Sequence, residues 1–469
     1  MDTERALAEF CTGLDPAALP ATVRERAELL LVDAIACALT GRLAPPRPDW
    51  EAACRAAFGR GCATVVAGPP LAPAGAVHLN AFQITATTMC DVYRPALCHV
   101  TPEVVPVVLA VGEEVGASGA RMLTALAAGL EVTARLGRSL DYRAFRAAGW
   151  HAPGILGPFG AAAAAAVLLD LPAPALARAW GLALGQAGGT FAAIGSLGVK
   201  FHQANGALSG YLAARFAAAG IGGTQNAWTH RDGGLFAAYG GGEPDRVTAA
   251  LGEHWELLNV SMRRWPAASS LQSMVEAVLE LRCGDGLGAV ERLEVRLPPA
   301  GFALCADKGW PDQGTALQSA RWVAAVVLAD GECWLEQFAP DRLADPAVGA
   351  FARTRVTVVA DPALPDGAAR VTAWPSRAAR PATGGGVTAG RDDPACAPST
   401  GRGDDPAGAV SIAGRDDAPG DPSRPLGRDE VLGKLARAAA SEGRPERAER
   451  LRRLLAADWT APELCERLS

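Results

Sequence analysis

Residues 195–220, GSLGVKFHQANGALSGYLAARFAAAG, decide how the chain is read. The stretch opens on a glycine-punctuated approach, sets Lys200 and His202 two residues apart, and predicts an Ala- and Leu-rich helix from about Asn205 to Ala219. An anion at that helix start would meet unpaired backbone N–H groups, the positive end of the helix dipole, an ammonium and an imidazole. The expectation is a carboxylate-binding corner that contains a titratable base. An ordinary surface turn is the plain alternative.

The arrangement recurs twice. In TTMCDVYRPALCHVTPEVVPVVLAVGEEVG, residues 87–116, Thr101 reads as an N-cap, Pro102 as the first helical residue and Glu103 as part of the first turn, with His99 just upstream. In RAAGWHAPGILGPFGAAAAAAVLLDL, residues 146–171, His151 precedes a Gly/Pro-rich turn and an alanine helix. Three of the six histidines thus stand beside predicted helix starts. Brought together in space, they would bind a polyanion and leave imidazoles to move protons. Ordinary helix capping is the competing reading. A metal site is not expected, because none of the three has an HxxxH or HxxE partner and Asp91 is the only close acid.

Composition narrows the class. At 469 residues the chain is too long for one ordinary core, so two or three domains are expected. Hydrophobic residues at 49%, many of them alanine, with only four tyrosines, favour helices packed through small side chains. A net charge of −6 without a Lys/Arg stripe excludes a nucleic-acid partner. No signal peptide is recognised, and apolar runs such as 161–171 are too short for a bilayer, so no membrane association is expected. Eleven cysteines without a CxxC pair fit reduced thiols in a cytoplasmic protein.

Along the chain, helices are predicted over 22–41 and 72–88, and again over 271–282, 315–328 and 341–352. Residues 290–297 (VERLEVRL), 354–360 and 369–373 read as strands. MRRWP at 262–266 marks the change of texture, with Arg263 and Arg264 at the seam. The expected organisation is a helical domain over 1–265, completed by helices in 426–469, with an α+β domain at 266–375. Residues 376–425, which repeat GRDDPA, RGDDPA and GRDDAP, have too few large apolar side chains for a core and are expected to be a disordered insertion.

Taken together, these motifs resemble the MmgE/PrpD family, which includes 2-methylcitrate dehydratase, cis-aconitate decarboxylase and iminodisuccinate epimerase. The resemblance rests on the order of LLLVDAIACALTG (29–41), DVYRPALCHVTPEVVPVVLA (91–110), GWHAPGILGPFGAAAAAAVLLDL (149–171), VKFHQANGALSGYLAARFAAAGI (199–221), GGLFAAY (233–239), RRWPAASSLQSMVEA (263–277) and ALQSARWVAAVVLADG (316–331). It implies a mainly α fold, with a large all-helical domain, a smaller α+β lid, a homodimer, and an active site that uses no metal or organic cofactor. By the same resemblance His99 and His151 match the family histidines, Lys200 the lysine that holds substrate carboxylate, His202 a histidine just after it, and Arg263 a seam lysine. Three departures stand out: the acidic cluster before the first histidine is reduced to Asp91, proline follows none of the three histidines, and Ala268 stands where a seam histidine is expected, beside Ser269 and Ser270.

The expected activity is that of a lyase acting on a small carboxylate-bearing substrate, by dehydration or decarboxylation, with a specialised metabolite favoured by the altered acids. His151 is assigned proton transfer with His99 as its partner, and Asp91 or Tyr93 orients a histidine or donates to a leaving group. Lys200, His202, Arg263, Thr101 and Ser269 are assigned to the substrate. An epimerase of the same family and a catalytically inactive carboxylate-binding homologue are the alternatives.

Overall fold

The computed structural model describes residues 3–282, 286–376 and 411–469. The chain divides into two compact units, Met1–Met262 with Pro425–Ser469, and Arg263–Arg424. Labelled in chain order, the principal helices of the larger unit are α1 (Ala21–Gly41), α2 (Pro73–Ala86), α3 (Thr101–Val115), α4 (Gly119–Ser139), α5 (Ala152–Leu168) and α6 (Gly198–Ala218). The smaller unit holds α7 (Gln272–Leu281), β1 (Val290–Leu297), α8 (Ala320–Asp330), α9 (Pro346–Thr354), β2 (Val356–Ala360), β3 (Ala369–Pro375) and β4 (Ser411–Arg415). The chain then returns to the larger unit with α10 (Arg428–Ser441), α11 (Glu446–Leu455) and α12 (Ala461–Leu468).

Small residues set the packing of the larger unit. Ala161 to Ala166 of α5 are all 0% exposed, so this helix is surrounded on every side. Its neighbours come close enough for backbone to touch backbone. A Cβ on Gly160 would lie 2.4 Å from the Gly129 carbonyl of α4, and one on Gly210 of α6 would lie 2.4 Å from the Pro158 carbonyl of α5. Alanine at either position would force two helices apart. A buried ion pair fixes the loop after α6: Arg135 donates to Glu131 at 2.5 Å and to the carbonyls of Val247, Ala249 and His254, while Glu131 accepts from the N–H groups of Glu256 and Leu257.

In the smaller unit the four strands run in the order β2-β1-β3-β4, with β1 parallel to β2 and the other pairs antiparallel. Leu293, Val295 and Leu297 of β1 face a core that includes Met274, Trp322 and Phe338. This is the alternation visible in VERLEVRL.

Several boundaries differ from expectation. Helix α6 begins at Gly198, seven residues before Asn205, because the intervening residues are tolerated in a helix once its first turn is packed. The predicted helix at 315–328 is interrupted by Ser319, whose hydroxyl caps α8 by accepting from the Trp322 N–H. That at 341–352 is interrupted by Asp345, which caps α9 with Pro346 following. The units meet in sequence at 262/263 and 424/425 rather than at 265/266 and 425/426.

The expectation of a disordered insertion fails for residues 411–424. Strand β4 pairs with β3 from Ala369↔Arg415 to Ala373↔Ser411, and Ala413 and Ala418 are buried. Arg415 and Arg424 both reach Glu276 on α7, at 3.0 and 2.8 Å. A single strand needs only a partner edge and a small residue facing the core, which this composition supplies. The copies of the repeat at 390–395 and 402–407 lie outside the described residues.

Candidate active site

The corner between α2 and α3 is built on Asp91. Its carboxylate accepts the N–H groups of Val100 at 2.9 Å and Thr101 at 3.0 Å, together with the Thr101 hydroxyl. Thr101 is therefore the first helical residue rather than the N-cap, which is Val100; the acceptor for this helix start is the Asp91 carboxylate, folded back across the corner. Burial, and then Cys90, push the Asp91 carboxyl up to about 6 against the opposing pull of His99 and these hydrogen bonds. Both Asp91 and Thr101 are 0% exposed. His99 is half-buried, with Nδ1 2.5 Å from the Asp91 carbonyl oxygen and 3.8 Å from Cys90 Sγ. A ring nitrogen facing a carbonyl carries the proton, which assigns the basic lone pair of His99 to Nε2. Tyr93, also 0% exposed, donates to Glu256 at 2.7 Å, and burial and that acid raise its phenol.

His151 is the N-cap residue of α5, yet its side chain makes no capping hydrogen bond. Its N–H donates to the Gly189 carbonyl at 3.1 Å and the ring turns toward α6, where Nδ1 lies 3.2 Å from His202 Nδ1. Two nitrogens at that separation must share one hydrogen, so the rings adopt opposite tautomers. The ring that donates from Nδ1 leaves a lone pair on Nε2, and the ring that accepts keeps an N–H there. One imidazole of the pair is then a base and the other a donor.

The electrostatics of the pair have one sign. His151 is 7% exposed, and its proton affinity is lowered to about 3, first by burial and then by His99, His202, Lys200 and Arg146, all cationic when charged. Burial lowers that of His202 as well. Lys200 donates to the Thr85 carbonyl at 2.6 Å and to the hydroxyls of Thr88 at 3.2 Å and Thr85 at 3.4 Å, which fixes the ammonium against the same corner that carries His99.

Lys200 and His202 do not precede their helix, as the sequence suggested. They are the third and fifth residues of α6, and the first N–H groups are occupied: Gly198 donates to Ser196 Oγ, and Lys200 and Phe201 donate to the Leu197 carbonyl. The helix start thus adds little to anion binding, and the side chains carry it.

Arg263 and Ser269 belong to the smaller unit. Arg263 is 3% exposed, and Ser269 opens a short 3-10 turn before α7. The turn that contains Trp265 and Pro266 is tied by Gln272, which accepts from the N–H groups of Arg264 and Trp265 and donates to the carbonyls of Trp265 and Ala267.

Sequence reasoning missed four contributors to the larger unit's cluster. Thr85 and Thr88 seat Lys200, Arg146 adds to the cationic field, and Phe191 lies under both the Arg146 guanidinium, 3.2 Å from the ring centroid, and the His151 ring, 6.2 Å away. Only Arg146 left a trace, five residues before His151. A fourth histidine, His78, accepts from Trp50 at 3.1 Å within an aromatic cluster and is lowered by burial to about 4. A cavity of about 540 Å³ lies elsewhere, beside Glu4, Arg5, Glu9 and Arg178, and it contains no histidine. Among the described residues no group of three or more His, Cys, Asp or Glu is placed to hold a metal ion, and no helix is long and apolar enough to cross a membrane.

Comparison with known proteins covers both parts of the chain. Residues 5–247 match the family model of the MmgE/PrpD N-terminal domain, and residues 265–389 that of the MmgE/PrpD C-terminal domain. The chain is 29% identical over 373 residues to the cis-aconitate decarboxylase-like protein oryM of Aspergillus oryzae, covering 73% of this chain and 77% of that one. It is 28% identical over 364 residues to the cis-aconitate decarboxylase of Aspergillus terreus, covering 71% and 74%. With the cis-aconitate decarboxylase of Homo sapiens it shares 26% identity over 294 residues, covering 59% and 60%. A mainly helical chain matched along both its parts is a member of the MmgE/PrpD family.

Proposed function

We propose that this protein is a cofactor-independent lyase that decarboxylates an unsaturated polycarboxylate of the cis-aconitate type. The observation that carries the reading is the His151–His202 pair beside the cations Lys200 and Arg146, with the Asp91 carboxylate committed to the start of α3. Such a field attracts a substrate with several carboxylates and disfavours a neutral one.

Before substrate binds, burial first and the neighbouring cations second keep His151 unprotonated. A bound polycarboxylate offsets their charge, so proton affinity at the histidine pair rises when substrate arrives. The chemistry then balances as follows. The bond from carbon to the departing carboxylate breaks, its electron pair forms a new carbon–carbon double bond, the former alkene carbon takes a proton from the pair, and carbon dioxide leaves. Carboxylates held by Lys200 and Arg146 stay fixed while charge develops. His99, with Nε2 basic and its ring set by the Asp91 carbonyl, takes up a proton from water and resupplies the pair with the one the product carbon has consumed.

The reading extends to Arg263 and Ser269 as substrate contacts, and to a homodimeric assembly. Dehydration is the second reading, favoured by the same histidines; it requires a hydroxylated substrate. The test is incubation of the purified protein with unsaturated and hydroxylated di- and tricarboxylates, followed by mass spectrometry. Loss of carbon dioxide, abolished by His151→Ala with the fold intact, is the expected result. Loss of water alone, or full turnover by the variant, would overturn the proposal.

A further inference from the structure

The corner that seats Lys200 is held from behind by a residue that the family comparison does not single out. Lys434 of α10 is 345 residues away from Met89, yet its ammonium donates to the Met89 carbonyl at 3.1 Å and to Asp33 of α1 at 2.6 Å. The lysine and aspartate side chains are 4% and 0% exposed. Packing of α10 on α1 does not call for them, because Val431, Leu435, Ala438 and Ala439 are buried along the same helix. A buried ion pair adds little net stability compared with apolar residues of the same volume. What an apolar pair could not do is donate to Met89.

The residue before Met89 shows why that matters. Thr88 has φ of +55°, a left-handed conformation in which a β-branched side chain is strained. Strain of this kind persists only where the surroundings over-determine it. The restraints lie on both sides: the Thr88 N–H donates to the Thr85 carbonyl, Lys434 holds Met89, and the Asp91 carboxylate is fixed to the start of α3. In this conformation the Thr88 hydroxyl accepts from Lys200.

We propose that Lys434 is a positioning residue: through the Met89 carbonyl it holds the corner in the strained form that orients Lys200. The consequence for turnover rests on the assignment of Lys200 to substrate carboxylate; the geometric consequence does not.

The experiment replaces the pair as a unit. Asp33→Leu with Lys434→Met keeps the volume apolar and removes both charges, so unfolding in urea should occur near the wild-type midpoint, whereas either single change leaves a buried charge unpaired and lowers it. In the folded double variant Thr88 relaxes, and Lys200 should acylate several-fold faster with an N-hydroxysuccinimide ester, followed by peptide mass spectrometry. Carbon dioxide release from cis-aconitate should fall by about tenfold or more. Adding Thr88→Asn, which tolerates the left-handed conformation and keeps an acceptor, should restore both readouts in part. Lys434→Arg, which retains a charge opposite Asp33 but displaces the donor, should also raise the acylation rate and serves if the double variant does not fold. Acylation of Lys200 at the wild-type rate in a folded variant overturns the proposal. Faster acylation in a protein that turns over no polycarboxylate would overturn the lyase reading and leave the positioning role standing.

Discussion

Truncating His202 to alanine tests the histidine pair directly. His202 Nδ1 is 3.2 Å from His151 Nδ1, and His151 is 7% exposed, so the change leaves a buried ring nitrogen without its partner. An unsatisfied buried polar group costs roughly 1–3 kcal/mol. Loss of a residue that shares the transferred proton removes a factor of about 10²–10⁴, or roughly 3–5 kcal/mol of transition-state stabilisation. The two effects fall on different measurements. Because His202 itself is half-exposed and has no charge to lose at neutral pH, the midpoint of thermal unfolding should move by only a few degrees, while kcat/KM for carbon dioxide release falls by at least about a hundredfold. His202→Asn separates orientation from proton sharing: its amide can bond to His151 but cannot relay a proton, so its activity should lie between those of the alanine variant and wild type. Carbon dioxide evolution at pH 7 is the assay, with circular dichroism to check the fold. If His202→Ala keeps kcat/KM within about threefold of wild type, the pair is not the proton-transfer device and the reasoning fails.

Removing a cation should raise proton affinity at His151, which gives up a proton in the reaction, so Arg146→Gln is expected to move the alkaline limb of the kcat profile to higher pH, read from initial rates between pH 4 and 8. Glu103 is 0% exposed with neither carboxyl oxygen bonded, and burial raises its proton affinity well above the usual carboxylate range. The folded state therefore keeps a proton that the unfolded chain releases above about pH 4.5, and stability is lost as pH rises from there, by up to ~1.4 kcal/mol per pH unit. Glu103→Gln should unfold at higher urea than wild type at pH 8, with the advantage gone near pH 4.5. Gly154→Ala puts a Cβ 2.2 Å from the Gly188 carbonyl and 3.1 Å from His202 Cβ. Overpacking of about 1–3 kcal/mol should outweigh a gain of ~1 kcal/mol in helix propensity, giving a lower unfolding midpoint together with reduced turnover.

The parts of the fold that sequence revealed are those governed by short-range rules. VERLEVRL alternates and forms β1 over the same eight residues, and the apolar face of 22–41 forms α1 to within one residue. Family membership was legible because several motifs keep their order along the whole chain. What stayed hidden depended on partners far away in sequence. Asp91 supplies the acceptor for a helix that starts ten residues later, so Thr101 took the cap role on local grounds. GVKFHQA carries no start signal that would outrank Asn205, and packing drew the helix back to Gly198. His151 and His202 are 51 residues apart, and nothing in either stretch indicates that they meet through the same ring nitrogen.

The antiparallel pairing of β3 with β4 has a consequence for how the smaller unit can vary. The chain departs from the sheet just after Pro375 and rejoins it at Ser411, which sits directly across from Ala373. The end of one strand and the start of its neighbour are thus the exit and the re-entry of everything in between. Since each doubling of a connecting loop adds only about 0.6 kcal/mol of closure entropy, such a doorway tolerates traffic of almost any length. Splicing residues 377–410 down to a tight turn, or threading a foreign module through the same opening, should leave the rungs on either side in register.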